Sequence, residues 1–256
     1  MHALTRLEEL FAPAAARATV GDISIGLGYT AVTLEDGRIG IAYTYLEEKG
    51  CCSLVDDQED YEGEPAALLL TKLSGENYVE RSVALAVVNA LNQTRALEFP
   101  EDRGTMLDDL GVGAGDTVAM VGFFQPVTDR VEARGATVRV HDLGKGIGDS
   151  DEFYRFLRSG EARALVLTST SVVGGTTESV LEHLPADTPC AMIGPTTPMV
   201  PEAFDHLPIT YFGGTLPLEP EPIVKAVRQG KGTRAIHKAS RKVCYRVGLD
   251  EVPPLE

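Results

Sequence analysis

The stretch Gly194-Pro195-Thr196-Thr197-Pro198 places a glycine, two prolines and two hydroxyls directly after the apolar run Cys190-Ala-Met-Ile193. Glycine lets a backbone come close to a ligand. Proline lowers the entropy cost of ordering a loop, and threonine supplies donors and acceptors without bulk. The same segment also reads as a tight turn leaving a strand. Three other strand ends carry similar chemistry. One runs into Gly122-Phe123-Phe124-Gln125-Pro126, one into Thr168-Ser169-Thr170 and the hydroxyl-rich stretch to Thr177, and one into Gly213-Gly214-Thr215. Hydroxyls and free backbone N–H groups suit an anionic or polar ligand. Ser169, Thr170 and Thr176 equally suit helix capping, for which Ser and Thr are preferred.

Charged candidates are fewer. Asn77 and Glu80 have the spacing of a capping box, and Arg81 beside them can hold a carboxylate or phosphate through two parallel hydrogen bonds, or stand solvated. Asp142 ends a strand at the place where a ribose-binding acid often sits. His141 before it is a ligand, a base or a packed strand-end histidine. Lys242 flanks the last strand, either facing the other candidates or only bordering it. Cys51 and Cys52 adjoin an acidic run from Asp56 to Glu64. Those carboxylates can hold a hard cation weakly or form a solvated face. No Gly-x-Gly-x-x-Gly follows the first strand of the second half, and Gly111-Val-Gly-Ala-Gly115 precedes it, on the wrong side for a pyrophosphate. The chain has neither a Walker loop nor a Gly-x-Ser-x-Gly.

The elements that must position these residues follow from periodicity. Leu4, Leu7, Leu10, Phe11 and Ala15 share one face of a predicted helix over 3–18. Runs 30–34 and 38–43 flank Asp36-Gly37 and predict a hairpin. Helices are predicted over about 64–74 and 77–93, the second apolar almost all round and therefore buried on most sides. Residues 94–104 read as a linker. Beyond it, strands at 117–122, 137–142, 164–168, 190–193, 209–212 and 242–246 alternate with helices near 126–134, 151–159, 176–184 and 220–229. This rhythm predicts one parallel sheet with helices on both faces. Ligands of such sheets sit beyond the carboxyl ends of the strands, so the hydroxyl-rich loops are expected to line one pocket.

The net charge of −15, with 16 Arg and 7 Lys, argues against nucleic acid and anionic membrane as partners. The acidic excess and scarcity of lysine fit a salt-loving host, where dense salt screens repulsion within about 3 Å at 1 M, or an ordinary acidic protein. No apolar run approaches the roughly 20 residues of a membrane span, and the charged, amphipathic N-terminus is unlike a signal peptide. A cytoplasmic location is expected. Four cysteines without Cys-x-x-Cys spacing do not suggest a disulfide scaffold.

In order and spacing, several blocks resemble the putative heavy-metal chelation family: Asn77-Tyr-Val-Glu-Arg-Ser82 with the helix to Ala90, Val121-Gly-Phe-Phe124, Thr168-Ser-Thr-Ser-Val-Val173, Ile193-Gly-Pro-Thr-Thr-Pro198, and the late Gly232 and Lys242. The resemblance implies an α/β chain of two domains: a small α+β unit like the N-terminal part of enolase over 1–103, and a Rossmann-like unit over 104–256. It further implies a ligand site in the crevice between them, with Asn77, Glu80 and Arg81 as the opposing wall; the cofactor stays open, with a divalent or heavy-metal ion as one candidate. The expected function is binding of a small anionic or metal-containing ligand. Two alternatives stay open: an enzyme using S-adenosylmethionine or a nucleotide, with Asp142 on the ribose, and a non-catalytic carrier in metal or cofactor metabolism. A homodimer stays open as the assembly.

Overall fold

The computed structural model describes residues 2–46 and 60–255. The predicted Cys51–Cys52 pair and the first part of the acidic run lie outside the described residues. The structure is mixed α/β, with a three-stranded antiparallel sheet and a six-stranded, mostly parallel one.

Helix α1 (Ala3–Ala15) buries Leu7, Phe11 and Ala15, the face set by its apolar spacing. It leads into β1 (Val20–Ile25), which pairs with β2 (Tyr29–Leu34), and β2 pairs with β3 (Ile39–Tyr43) across the Asp36-Gly37 turn. Sequence reading missed β1. Its segment Val-Gly-Asp-Ile-Ser-Ile carries Gly and Asp directly after its first residue, types depleted in strands, and register with β2 rather than propensity fixes it. Helix α2 (Ala66–Leu70) precedes α3 (Tyr78–Leu91), of whose residues Ser82 through Val88 are all buried. Helix α3 packs on β2 and β3 and reaches the helix Thr170–Val173 of the second half, which accounts for its apolar character all round.

The large sheet has the order β5-β4-β6-β7-β8-β9, from β4 (Thr117–Val121), β5 (Thr137–His141), β6 (Ala164–Thr168), β7 (Cys190–Ile193), β8 (Ile209–Pro217) and β9 (Ser240–Arg246). The first five run parallel, and β9 is antiparallel to β8. The expectation of a wholly parallel sheet is corrected at this edge: the chain between β8 and β9 leaves to lay the helix Pro220–Arg228 on the small sheet and comes back along β8 in the opposite direction. Residues 213–215, expected as a loop, continue β8, because β9 supplies their ladder through Gly213–Cys244, Gly214–Val243 and Thr215–Lys242. The expected linker is also partly ordered: Glu101 bridges Val243, and the Cys244 N–H donates to the Pro100 carbonyl at 2.9 Å.

Both faces of the large sheet are covered. One carries Leu165, Leu167, Met192 and Phe212 in a core continuous with α1, α2 and α3, and the other buries Val118, Met120 and Val166 against Leu107 and Val131. The helix Pro220–Arg228, from the second half, lays Ile223 and Val227 on Ala31, Ile39 and Ile41 of the small sheet. The small sheet is thereby buried on both sides, by its own α3 and by a helix from the other half of the chain.

Candidate functional site

After β4 the chain places β5 on one side and then crosses to set β6 on the other. This reversal between β4 and β6 is a topological switch point, where the loops leaving two adjacent parallel strands part and open α/β sheets bind ligands. The loops flanking it begin at Gly122 and Thr168. They lie close: a Cβ on Gly122 would stand 2.8 Å from the Thr168 side chain. Thr168 and Thr170 are half-buried, and their hydroxyls share a hydrogen bond of 3.0 Å. Ser169 between them is buried, and its Oγ has no hydrogen-bond partner. The helix Thr170–Val173 follows at once, and Ser169 makes no side-chain cap to it.

On the β5 side, Asp142 is bound on both oxygens. Its Oδ2 accepts the Phe123 N–H at 2.9 Å, its Oδ1 accepts the Lys145 N–H at 3.1 Å, and Lys145 Nζ lies 3.5 Å away. The carboxylate therefore fixes the Gly122–Phe124 loop from the place where a ribose would be held. Lys145 also donates to the Phe123 carbonyl at 3.1 Å, with its ammonium 5.1 Å from the ring centroid of Phe123. Sequence reading missed Lys145, although its setting in Gly144-Lys145-Gly146 directly after a strand is a readable sign.

On the β7 side, Gly194 has φ +137, a conformation that L side chains rarely adopt, and a Cβ there would meet Ser169 Oγ at 2.6 Å. The Thr197 N–H donates to the Gly194 carbonyl at 3.1 Å, closing a β-turn with Pro195 at its second position. Both hydroxyls of this turn are engaged. Thr196 Oγ1 accepts the Tyr43 N–H at 2.9 Å, and Thr197 Oγ1 donates to the Gly213 carbonyl at 2.9 Å. Thr196, Thr197 and Pro198 are buried. Asn89 of α3 donates to the Ile41 carbonyl at 2.8 Å and to the Thr196 carbonyl at 3.4 Å. The Gly194–Pro198 turn thus joins the small sheet to the large one.

Gly214 and Thr215 are buried within β8, with Lys242 exposed opposite Thr215 on β9. His237 places Nε2 3.4 Å from Thr215 Oγ1. Burial first, and then the nearby Lys242 charge, hold this imidazole below the ordinary histidine range. No sequence periodicity marked His237.

From the first half, Asn77 caps α3, its Oδ1 accepting the N–H groups of Val79 and Glu80 at 2.9 and 3.2 Å. Glu80 lies 3.8 Å from Lys72. Arg81 reaches across: Nη1 donates to the Val173 carbonyl at 2.8 Å and Nη2 to the Gly75 carbonyl, while Nε is buried without a partner. Its guanidinium stacks 4.8 Å from the ring centroid of Tyr78, which packs 4.8 Å from Tyr45. Of the three residues expected as the opposing wall, Arg81 contacts the end of the helix Thr170–Val173 that follows β6, Asn77 serves the helix end and Glu80 faces Lys72.

Among the described residues no group of three or more His, Cys, Asp or Glu is placed to hold a metal ion. Burial pushes the thiols of Cys190 and Cys244 up, away from the thiolate form that soft metals require. The donors at the β4/β6 edge are hydroxyls, backbone groups and cationic side chains, a set that fits an anion better than a bare soft cation. His141 is buried and stacks on Phe153 with centroids 5.2 Å apart, as a packed strand-end histidine does.

Two family models, both described as putative heavy-metal chelation, match residues 8–92 and 105–246. Among solved structures, a protein of unknown function from Pyrococcus horikoshii is 22% identical with a TM-score of 0.80, covering 96% of this chain and 100% of its own. A protein of unknown function from Desulfitobacterium hafniense is 18% identical with a TM-score of 0.75, covering 95% of this chain and 98% of its own. No curated protein matches significantly. Among the described residues no helix is long and apolar enough to cross a membrane.

Proposed function

The chain belongs to the putative heavy-metal chelation family, and from that premise we propose that the carboxyl edge at β4 and β6 binds a small anionic ligand, free or carrying a metal ion as cargo. Family membership supports a metal-related role in general. The observation that carries the finer reading is the switch point itself, flanked by the paired hydroxyls of Thr168 and Thr170. Thr168 Oγ1 also accepts the Thr170 N–H at 3.3 Å, so the Thr170 hydroxyl is the one that can turn outward to a ligand at little cost, since one hydrogen bond replaces another. Arg81 adds positive charge beside the loop after β6, where it favours an anion, while the charge of Lys145 is balanced by Asp142 3.5 Å away.

The two halves of the chain meet beside this edge through Arg81 and Thr196, so a ligand there would touch both units assigned over 1–103 and 104–256. The alternative of a nucleotide or S-adenosylmethionine enzyme is less well supported, because Asp142 spends both oxygens on backbone N–H groups. A metal arriving inside an anionic chelate needs no protein cluster of thiolates or imidazoles, which reconciles the family description with the donors present.

The test is calorimetric titration of the purified chain with citrate, with Ni²⁺ alone, and with Ni²⁺ preloaded on citrate. Citrate or its nickel complex should bind with one equivalent per chain, and Thr170→Val should weaken that binding by roughly 5- to 150-fold, the value of about 1–3 kcal/mol for one hydrogen bond in a dry site. Tight binding of bare Ni²⁺ that survives prolonged chelator treatment, with none of citrate, would overturn the reading.

A further inference from the structure

A cavity of about 470 Å³ lies away from the β4/β6 edge, between α1, the β2–β3 turn, the end of α3 and the C-terminal segment. Its volume falls in the range of pockets that take small organic ligands, about 300–1,000 Å³. Its lining mixes apolar, polar and charged groups, with the carboxylate of Asp36 among them. Phe11, Leu91 and Leu255 make an apolar side, and Arg17, Arg38 and Arg95 converge on the same space. In a chain of net charge −15, three guanidiniums around one cavity are a local reversal of sign.

The charge balance narrows the ligand. Arg38 pairs with Asp36 at 2.7 Å and donates to the Leu91 carbonyl at 3.0 Å. The Asp36 carboxyl is held below the ordinary carboxylate range, chiefly by its hydrogen bond from Arg38, so it remains ionised. Arg95 is 5% exposed, pairs with Glu202 and donates from Nε to the Pro253 carbonyl at 2.6 Å. Among the described residues, two carboxylates thus answer two of the three cations. Arg17, exposed at the rim, leaves one positive charge over. A single negative charge held in the cavity would meet Arg17 at the rim and balance the set.

We infer that this cavity is a binding site for a small organic monoanion, a carboxylate with an apolar body. The carboxylate takes the guanidinium side, where arginine offers paired donors in a plane. The hydrocarbon lies on Phe11, Leu91 and Leu255. The site is independent of the edge at β4 and β6, and no residue assigned there lines it.

The probe is octanoate, titrated calorimetrically into the full chain, with octanol and octylammonium as uncharged and cationic counterparts of the same body. Octanoate should saturate at one equivalent per chain and bind at least about tenfold tighter than either counterpart, the worth of one charge-assisted pair. Arg17→Gln should weaken octanoate about tenfold without moving the melting temperature, since its side chain is exposed. Ala14→Leu, which adds apolar bulk at the cavity wall, should block binding while the chain remains folded. Equal affinity for octanol, an Arg17→Gln variant that binds as the parent does, or displacement of octanoate by inorganic phosphate would each overturn the assignment.

Discussion

The turns after β6 and β7 are built from nearly the same residues and do opposite things. The β7 turn spends both hydroxyls on backbone: Thr196 on Tyr43 of the small sheet and Thr197 on Gly213 of its neighbour strand. The β6 turn pairs Thr168 with Thr170, and Ser169 Oγ bonds nothing. A hydroxyl facing a backbone group of another element becomes a weld, whereas one facing another hydroxyl stays exchangeable. The lesson is that a Gly/Ser/Thr loop at a strand end has no fixed meaning until the group opposite each hydroxyl is known.

Four substitutions can break or sharpen this contrast. Arg81→Met should have the largest effect on stability, about 3 kcal/mol or more, because two carbonyls on different elements lose a charged donor. The midpoint of chemical denaturation reads it, and Arg81→Lys should recover only part, since an ammonium lacks the planar fork. Gly194→Ala should cost about 1–3 kcal/mol through its backbone conformation and the 2.6 Å approach to Ser169 Oγ. Adding Ser169→Ala should return part of that loss, and strict additivity in the double-mutant cycle would contradict the contact. Thr196→Val should cost about 1–2 kcal/mol, as it strands the Tyr43 N–H, with no change in ligand affinity per folded molecule. Thr170→Val should change stability by less than about 0.5 kcal/mol while weakening the citrate complex. If Thr196→Val were silent in denaturation and Thr170→Val costly, the distinction between the two turns would collapse.

Much of the fold was legible because its signals are local. The runs that became β4 to β7 are short, apolar and punctuated, Asp36-Gly37 specifies its hairpin, and α3 advertises burial by having no polar face. The rest depends on partners remote in sequence. Gly213-Gly214 looks like a turn until β9 supplies its ladder. Nothing in Pro220–Arg228 says that its apolar stripe covers the small sheet instead of the large one. The same holds for the candidate site. Its loops could be placed by the strand-end rule, but Thr196 meets Tyr43 across 153 positions, and only the folded chain shows that this hydroxyl is already engaged. Arg81 reads in the sequence as a ligand anchor or a solvated residue, and the folded chain sets it on the Val173 and Gly75 carbonyls. Lys145 and His237 were missed for the converse reason, since single polar residues between elements carry no period.

The placement of β9 has a consequence for synthesis. Residues 95–102 emerge early, yet Arg95 waits for Pro253, the Leu97 carbonyl for Arg241, and the Pro100 carbonyl for Cys244. Chain synthesis runs from the N-terminus at about 5–20 residues per second, so these closures are the last available to a nascent chain. Until then the nine residues of β8 form an open edge strand, with unpaired N–H and C=O groups that can template association with a second chain. A polypeptide stopped before residue 240 carries that edge permanently, even where every residue of the β4/β6 edge has already been made.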